Sequence, residues 1–169
     1  MKTTKTYLIA LILLFTAFGQ TIAQTPAPSA DIAKVIRDLK NDRCSFLEVS
    51  KEMFELLAAD DRAEGRVKEY FTQLNHLLYL QCHGSKDGSE TLDVAGNFES
   101  IAPDKGFKLL MRSESGHNKN LFFKRTQGEV NEYLLATRTR IQYISTSMDI
   151  TSIREMTQII EVAGEAGGM

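Results

Sequence analysis

The sequence predicts one α+β domain, built on a single mainly antiparallel sheet of about five or six strands with helices packed on one face. The first half of the chain has apolar side chains spaced three and four residues apart, which is typical of amphipathic helices. The second half contains four runs rich in strand-forming residues, joined by links too short for a parallel return. Because polar residues alternate along these runs, one face of the sheet needs a cover, which the apolar stripes of the helices provide.

Residues 1–23 are predicted to be a cleavable signal peptide. Lys2 and Lys5 precede an apolar run at residues 7–18, and residues 21–23 place small side chains at positions −3 and −1 of a cleavage site. A helix over this run would reach roughly 18 Å, short of the roughly 30 Å hydrocarbon core of a bilayer, so we expect no membrane anchor. No cysteine stands at the cleavage point to carry a lipid.

Cleavage after Ala23 would leave 146 of the 169 residues, a usual size for one domain with its own core. We therefore divide the chain into a signal peptide (1–23), a flexible Pro-rich leader (24–30), a single α+β domain (31–163) and a disordered tail (164–169). We expect the mature protein to be soluble, periplasmic or secreted, with no membrane span after cleavage.

Four helices and two strands are predicted in the first half of the mature chain. Ser50 is placed to cap the second helix, and the last helix is weakened by Gly96 and predicted to end before Pro103. In order, the elements are a helix at 30–40, a strand at 44–49, a helix at 51–59, a helix at 67–74, a strand at 76–82 and a helix at 92–101.

The second half is predicted to form antiparallel hairpins followed by one helix. Its strands are joined by short links at residues 115–118, 127–128 and 137–139. Ser152 and Glu155 have the spacing of a capping box at the start of the last helix. The four strands are predicted at 107–113, 120–125, 129–137 and 140–147.

The charge of the mature chain is nearly balanced, with 18 Lys and Arg against 22 Asp and Glu. We therefore expect no nucleic-acid partner, whose recognition needs a basic face. The charge is uneven along the chain, because residues 105–154 carry 9 basic and 4 acidic side chains while residues 24–104 carry 9 and 15. Either the two halves complement each other inside one fold, or the basic half faces an acidic partner such as an anionic polysaccharide or another envelope protein.

Cys44 and Cys82 are the two cysteines of the chain. In an oxidising compartment they are a candidate disulfide, closing a loop of roughly 40 residues that would stabilise the fold by about 3–4 kcal/mol. The alternative is two buried free thiols that act as small apolar side chains. The sequence leaves both open, because it does not show whether the two Cα atoms come within about 7 Å.

The sequence assigns no residue to catalysis, to a cofactor or to a metal. His76 and Cys82 share one side of a predicted strand but lie about 20 Å apart along it, too far to share an ion. His83 points to the other side of the strand. We therefore do not expect it to act as the base that activates Cys82 as a nucleophile. The sequence contains no G-x-S-x-G elbow of the kind found in serine hydrolases.

A basic patch with two tyrosines is predicted on or near the strands of the second half. The patch is a candidate contact surface for an anionic partner, or else a solvated outer face that protects the sheet edge with charge. The tyrosines contact a partner if the sheet has an open face, and otherwise pack in the core. The residues are Lys124, Arg125, Arg138, Arg140, Tyr133 and Tyr143.

Four segments carry a shared set of packing patterns: residues 46–54 (FLEVSKEMF), 106–111 (GFKLLM), 128–135 (GEVNEYLL) and 147–150 (SMDI). Together they resemble the domain-of-unknown-function 4252 family, over roughly residues 31–162. The chain departs from the family pattern at Met148, where we expect Gly, and in its two cysteines. The resemblance implies this fold and an exported envelope protein of a Gram-negative bacterium, and it implies no activity and no functional residue.

These observations predict a non-catalytic protein that binds a partner through its sheet face or edge. The alternatives are a hydrolase of unrecognised type, with a cleft between helix and sheet, and a regulatory partner of an envelope signalling system. A binding module predicts an exposed apolar or aromatic patch, or a long unpaired edge strand. A hydrolase predicts a deep pocket in which His76 or His117 meets a carboxylate.

Overall fold

Six strands form one antiparallel sheet with five helices packed against it, in the part of the chain that the computed structural model describes: residues 30–60, 65–84, 93–116 and 118–166. This architecture confirms the predicted α+β class and the predicted number of strands. The predicted signal peptide and nearly all of the predicted leader lie outside the described residues.

The strands and helices follow the predicted order. The strands are β1 (Cys44–Ser50), β2 (Leu74–Cys82), β3 (Lys108–Ser115), β4 (Asn118–Gln127), β5 (Val130–Thr137) and β6 (Arg140–Thr146). The helices are α1 (Ala30–Asp38), α2 (Lys51–Ala59), α3 (Arg66–Gln73), α4 (Val94–Asp104) and α5 (Ile153–Ala166). Helix α5 therefore continues past the predicted domain boundary at residue 163, and residues 167–169 lie outside the described part.

The strand order in the sheet is β1-β2-β6-β5-β4-β3. The β3–β4, β4–β5 and β5–β6 hairpins are those that the short links predict. The pairing of β2 with β6 joins the two halves of the chain, with Leu78 opposite Tyr143 and Leu80 opposite Ile141. As a result, β1 and β3 lie at the two edges of the sheet.

Helices cover both faces of the sheet, which corrects the prediction of a single covered face. On one side, which we call the α4 face, α1 and α4 pack against strand residues that include Leu78 and Leu134. On the other side, the α5 face, α2, α3 and α5 pack against residues that include Leu77 and Leu135. Because neighbouring strand residues point to opposite faces, two adjacent buried leucines require a layer of helices on each side.

Helix α4 runs through Pro103 to Asp104, whereas the sequence predicts an end before the proline. Pro103 stands in the last turn, where the missing N–H removes one hydrogen bond and no further helix follows. The turn is closed by the Lys105 N–H, which lies 3.2 Å from the Ile101 carbonyl and 3.1 Å from the Ala102 carbonyl. Pro103 therefore lies inside the last turn of α4, one residue before the helix ends.

Side chains cap the starts of α4 and α5. The Asp93 carboxylate accepts the Gly96 N–H at 2.9 Å, and a Cβ on Gly96 would lie 2.4 Å from Asp93 Oδ2. The glycine that we expect to weaken the helix therefore makes room for its N-cap. At α5, Ser152 Oγ accepts the Glu155 N–H at 3.2 Å, while the Glu155 carboxylate accepts the N–H of Thr151 at 2.9 Å. The capping box is present with its return bond shifted by one residue.

Cys44 and Cys82 face each other across β1 and β2, with Sγ atoms 2.09 Å apart and Cα atoms 4.0 Å apart. The His83 N–H donates to the Arg43 carbonyl at 3.0 Å, so the cysteines occupy the adjacent non-hydrogen-bonded pair. The Cα atoms of such a pair come closer together than those of a hydrogen-bonded pair. The structure thus places the two cysteines at disulfide distance, which the sequence alone leaves open.

Candidate functional site

The six residues of the predicted contact patch do not form one surface. Lys124 and Arg125 are consecutive on β4 and point to opposite faces of the sheet. Arg140 shares the α5 face with Lys124 but lies two strands away and four residues from Ile144, which is level with Lys124. Four residues correspond to roughly 13 Å along a strand. Arg138 lies in the turn between β5 and β6.

The two tyrosines of the predicted patch are in the core, each with 0 % of its surface exposed. The Tyr133 hydroxyl donates to Asp149 at 2.7 Å and accepts the Ile150 N–H at 2.8 Å. The Tyr143 hydroxyl donates to Glu132 at 2.6 Å, and burial together with the Glu132 charge raises the pKa of Tyr143. Both side chains hold the fold together and are closed to a partner.

Lys124 is engaged within the fold on the α5 face. Its Nζ lies 2.6 Å from Asp149 Oδ1 and 5.4 Å from the centre of the Tyr133 ring. The hydrogen bond to Asp149 raises the pKa of Lys124. Its positive charge is therefore largely balanced by a neighbour of its own chain.

Arg125 is buried on the α4 face, where one of its donors has no partner. Its Nε donates to Glu132 at 2.6 Å, its Nη1 donates to the Lys105 carbonyl, and the guanidinium lies 4.4 Å from the centre of the Phe107 ring. Only 8 % of Arg125 is exposed, and Nη2 has no hydrogen-bond partner among the described residues. A buried donor without an acceptor lowers the stability of a fold.

A cavity of about 330 Å³ adjoins Arg125 at the start of β3. Lys108 is exposed beside it and forms no ion pair among the described residues. The volume lies at the small end of the range for ligand pockets, and the charged lining is basic. The cavity can hold one carboxylate, phosphate or sulfate group, because an ammonium group such as that of Lys108 pairs with such oxygens. The lining residues are Gly106, Lys108, Leu110, Lys124, Arg125 and Thr126.

The cavity opens beside β3, which is an exposed edge strand. All eight residues of β3 are exposed, and in the described part of the chain no strand pairs with its outer side. Leu109, Leu110 and Met111 are 43 %, 54 % and 40 % exposed, an unusual run of apolar surface. An edge of this kind offers unpaired backbone N–H and C=O groups to an added strand.

Two features of β3 limit its pairing with strands of other molecules. Leu110 forms a bulge, since Leu109 lies opposite Phe123 and Met111 lies opposite the adjacent Phe122. Arg112 makes an ion pair with Glu99 of α4, which holds a charge over the middle of the strand. Bulges and charges are common ways in which edge strands avoid aggregation, so the exposed apolar segment is confined to the first half of β3.

His76 meets a carboxylate, but it lines neither the cavity beside β3 nor a second cavity that lies beneath α5. Its Nε2 is 2.9 Å from Glu48 Oε1, its ring packs edge-on against Tyr143, and it is 6 % exposed. Burial lowers the pKa of His76. Ser145 lies opposite His76 on β6, but its buried Oγ forms no hydrogen bond among the described residues. His117 lies outside the described part.

Two further properties bear on the kind of site. No group of three or more His, Cys, Asp and Glu side chains within the described residues is placed to hold a metal ion. None of the described helices has the length and apolar character to cross a membrane.

The chain matches no protein-family model, no curated protein and no solved structure. The resemblance to the 4252 family therefore stays a prediction from the sequence.

Proposed function

We propose that this chain is an exported, non-catalytic interaction module that binds an extended segment of another envelope protein along β3. The observation that carries the proposal is the fully exposed edge strand next to a cavity whose charged lining is basic. The added segment would extend the sheet, and one of its acidic side chains would enter the cavity. Export itself rests on the signal peptide predicted at residues 1–23.

The two parts of the surface would contribute differently to binding. Backbone hydrogen bonds to an edge strand provide affinity for any extended peptide, whereas pockets for particular side chains provide specificity. The exposed side chains of Leu109, Leu110 and Met111 would be covered by apolar residues of the partner. Lys108 would select for a carboxylate next to that apolar segment.

The chemistry of β3 favours a protein partner over an anionic polysaccharide. A polysaccharide could neutralise Lys108, but it lacks the regular N–H and C=O groups that an edge strand pairs with. It would also leave the apolar run at 109–111 exposed to water. A regulatory partner of an envelope signalling system could bind through the same surface. That alternative differs from the proposal only in the identity of the bound protein.

Within the described residues, the hydrogen bond between His76 and Glu48 is the contact that supports the hydrolase alternative. A nucleophile would need to reach the imidazole, and substrate would need access to both groups. The low exposure of His76 favours a structural role for this contact. The interaction module is therefore the function that the geometry supports best.

Site-specific cross-linking tests the proposal. A photo-reactive amino acid at Met111 of β3 is compared with one at Leu56 of α2, an apolar position that is 67 % exposed on a different element. Both variants are expressed with their signal peptide, irradiated in cells, and the cross-linked segments are identified by mass spectrometry. We expect Met111 to cross-link to an extended segment that contains Asp or Glu. Equal products from both positions would contradict the proposal.

The identified segment is then measured as a synthetic peptide against purified mature protein. We expect Leu110→Glu and Lys108→Glu to weaken binding at least tenfold, about 1.4 kcal/mol, because each places a negative charge beside the acidic group of the peptide. Leu56→Glu is the matched control and should bind as the parent does. Binding of a carboxylated polysaccharide with no peptide binding would refute the strand-addition proposal.

The predicted signal peptide has its own test. N-terminal sequencing of the exported protein should give Gln24 as the first residue if cleavage follows Ala23.

A further inference from the structure

A second cavity, of about 320 Å³, lies beneath α5 on the opposite side of the sheet from the Arg125 guanidinium. It is separate from the surface proposed above, because its strand residues belong to β2 and β6, at least three strand positions from β3. Three steps between neighbouring strands correspond to roughly 14 Å. The cavity is lined by Tyr79, Arg140, Gln142, Thr157, Ile160, Glu161 and Gly164.

Gln142 is the feature of this cavity that the fold does not explain. It is 2 % exposed, and its Oε1 has no hydrogen-bond partner among the described residues. It lies between Tyr79 of β2 and Leu135 of β5, and Ile144, two residues along on the same face, packs in the core. An apolar side chain would suit the packing here and leave no polar atom unsatisfied. An unsatisfied amide that lines a cavity points to a ligand.

Two opposite charges line the cavity, one from the sheet and one from the helix above it. Arg140 comes from β6, and its Nε donates to Gln81 Oε1 at 2.9 Å, which orients the guanidinium. Glu161 comes from α5 and is exposed. Among the described residues neither side chain takes part in an ion pair, with the other or elsewhere. The site therefore offers one cation and one anion that are not neutralised by each other.

From these contacts we propose that the cavity beneath α5 binds a small zwitterion, specifically a free α-amino acid. Its carboxylate pairs with Arg140, and its ammonium group donates to Glu161 and to Gln142 Oε1. Its side chain packs on Tyr79 and Ile160, the apolar part of the lining. The volume lies at the lower end of the range for ligand pockets, which suits a single amino acid better than a longer molecule.

Calorimetry and thermal unfolding of the dialysed mature protein against the twenty amino acids test this inference. We expect a subset of the amino acids with apolar side chains to bind and to raise Tm. For each one that binds, the amine without its carboxylate and the acid without its ammonium group should each bind at least tenfold more weakly. If no amino acid binds at millimolar concentration, or if either half binds as well as the whole, the proposal is overturned.

A pair of glutamine variants separates binding from folding. Gln142→Leu removes the unsatisfied amide, so we expect an unchanged or higher Tm without ligand, together with a tenfold to hundredfold loss of affinity. Gln127→Leu, at an exposed position of β4, is the matched control and should keep full affinity. Undiminished binding by Gln142→Leu would overturn the assignment of this cavity. A lower Tm for Gln142→Leu in the absence of ligand would also overturn it, because the amide would then be stabilising the fold.

Discussion

The buried pair formed by Arg125 and Glu132 allows a sharp test of how this fold is held together. The two side chains are 8 % and 1 % exposed, and their Nε and Oε2 atoms lie 2.6 Å apart. Glu132 also accepts the Tyr143 hydroxyl at 2.6 Å through its other oxygen. The carboxylate thus joins β4, β5 and β6 on the α4 face.

Glu132→Gln keeps the size of the side chain and an oxygen for Tyr143, but it leaves the Arg125 guanidinium without a counter-charge. Removing one member of a buried ion pair typically lowers the free energy of unfolding by about 3–5 kcal/mol. The total stability of a domain is about 5–15 kcal/mol, so this is a large fraction of it. For a chain of this length we expect Tm to fall by roughly 10–15 °C.

A double variant distinguishes the missing counter-charge from a general disturbance of the core. Arg125→Met together with Glu132→Gln removes both charges and preserves much of the packing. We expect it to recover at least half of the stability that Glu132→Gln loses. The assay is urea denaturation of the mature protein with its disulfide intact, followed by circular dichroism. A loss below about 1 kcal/mol for Glu132→Gln, or a double variant no more stable than Glu132→Gln, would refute the reasoning.

Three other predictions concern the disulfide, the acid limb of stability and a helix cap. Replacing both Cys44 and Cys82 with Ala should lower the free energy of unfolding by about 3–4 kcal/mol, since the bridge closes a separation of 38 residues; urea denaturation that shows no loss would contradict this. Burial lowers the pKa of His76, so below the usual pKa of about 6.5 the unfolded chain takes up a proton before the native one, and stability should decrease as the pH falls. His76→Gln should reduce that pH slope, and a slope equal to that of the parent protein would contradict the assignment. Asp93→Ala removes the cap of α4 and should lose about 1 kcal/mol in the same denaturation assay, whereas an unchanged midpoint would rule out a stabilising cap.

The individual elements were predictable because their signals are local. Ile32, Val35 and Ile36 fall on one side of an α-helix because of its period of about 3.6 residues, and they lie in α1. Short links likewise restrict neighbouring strands to hairpins, which is why β3 to β6 pair as expected. The pairing of β2 with β6 joins residues far apart in sequence, such as Leu78 and Tyr143, so no local pattern indicates it.

The sequence contains a signal that both faces of the sheet are covered, but the alternation of polar residues along the strands obscured it. The apolar run at residues 133–136 on β5 is continuous, and such runs are typical of strands buried on both sides. That signal predicts the burial of Tyr133, and it disfavours an open sheet face. By contrast, the apolar run at residues 109–111 lies on an edge strand and is exposed. Only the strand order distinguishes these two runs.

The sequence identified Lys124 and Arg125 as neighbouring basic residues, but their roles depend on the tertiary structure. Because side chains alternate along a strand, one lies against Asp149 on the α5 face and the other against Glu132 on the α4 face. The partners come from distant segments, so neither ion pair is visible in the sequence. The same reason explains why Gln142 carried no signal, since its unsatisfied amide is defined by what surrounds it.

The sequence by itself determined the secondary structure, the hairpins, the α+β class and the existence of a cysteine pair that could bridge. These properties follow from local periodicity, short connections and composition. The tertiary structure decided which strands form the edges, that both faces are covered, and that Cys44 meets Cys82. It also decided which polar groups were left without partners. All of these depend on contacts between residues far apart in the chain, whose free energies are settled only when the whole sheet assembles.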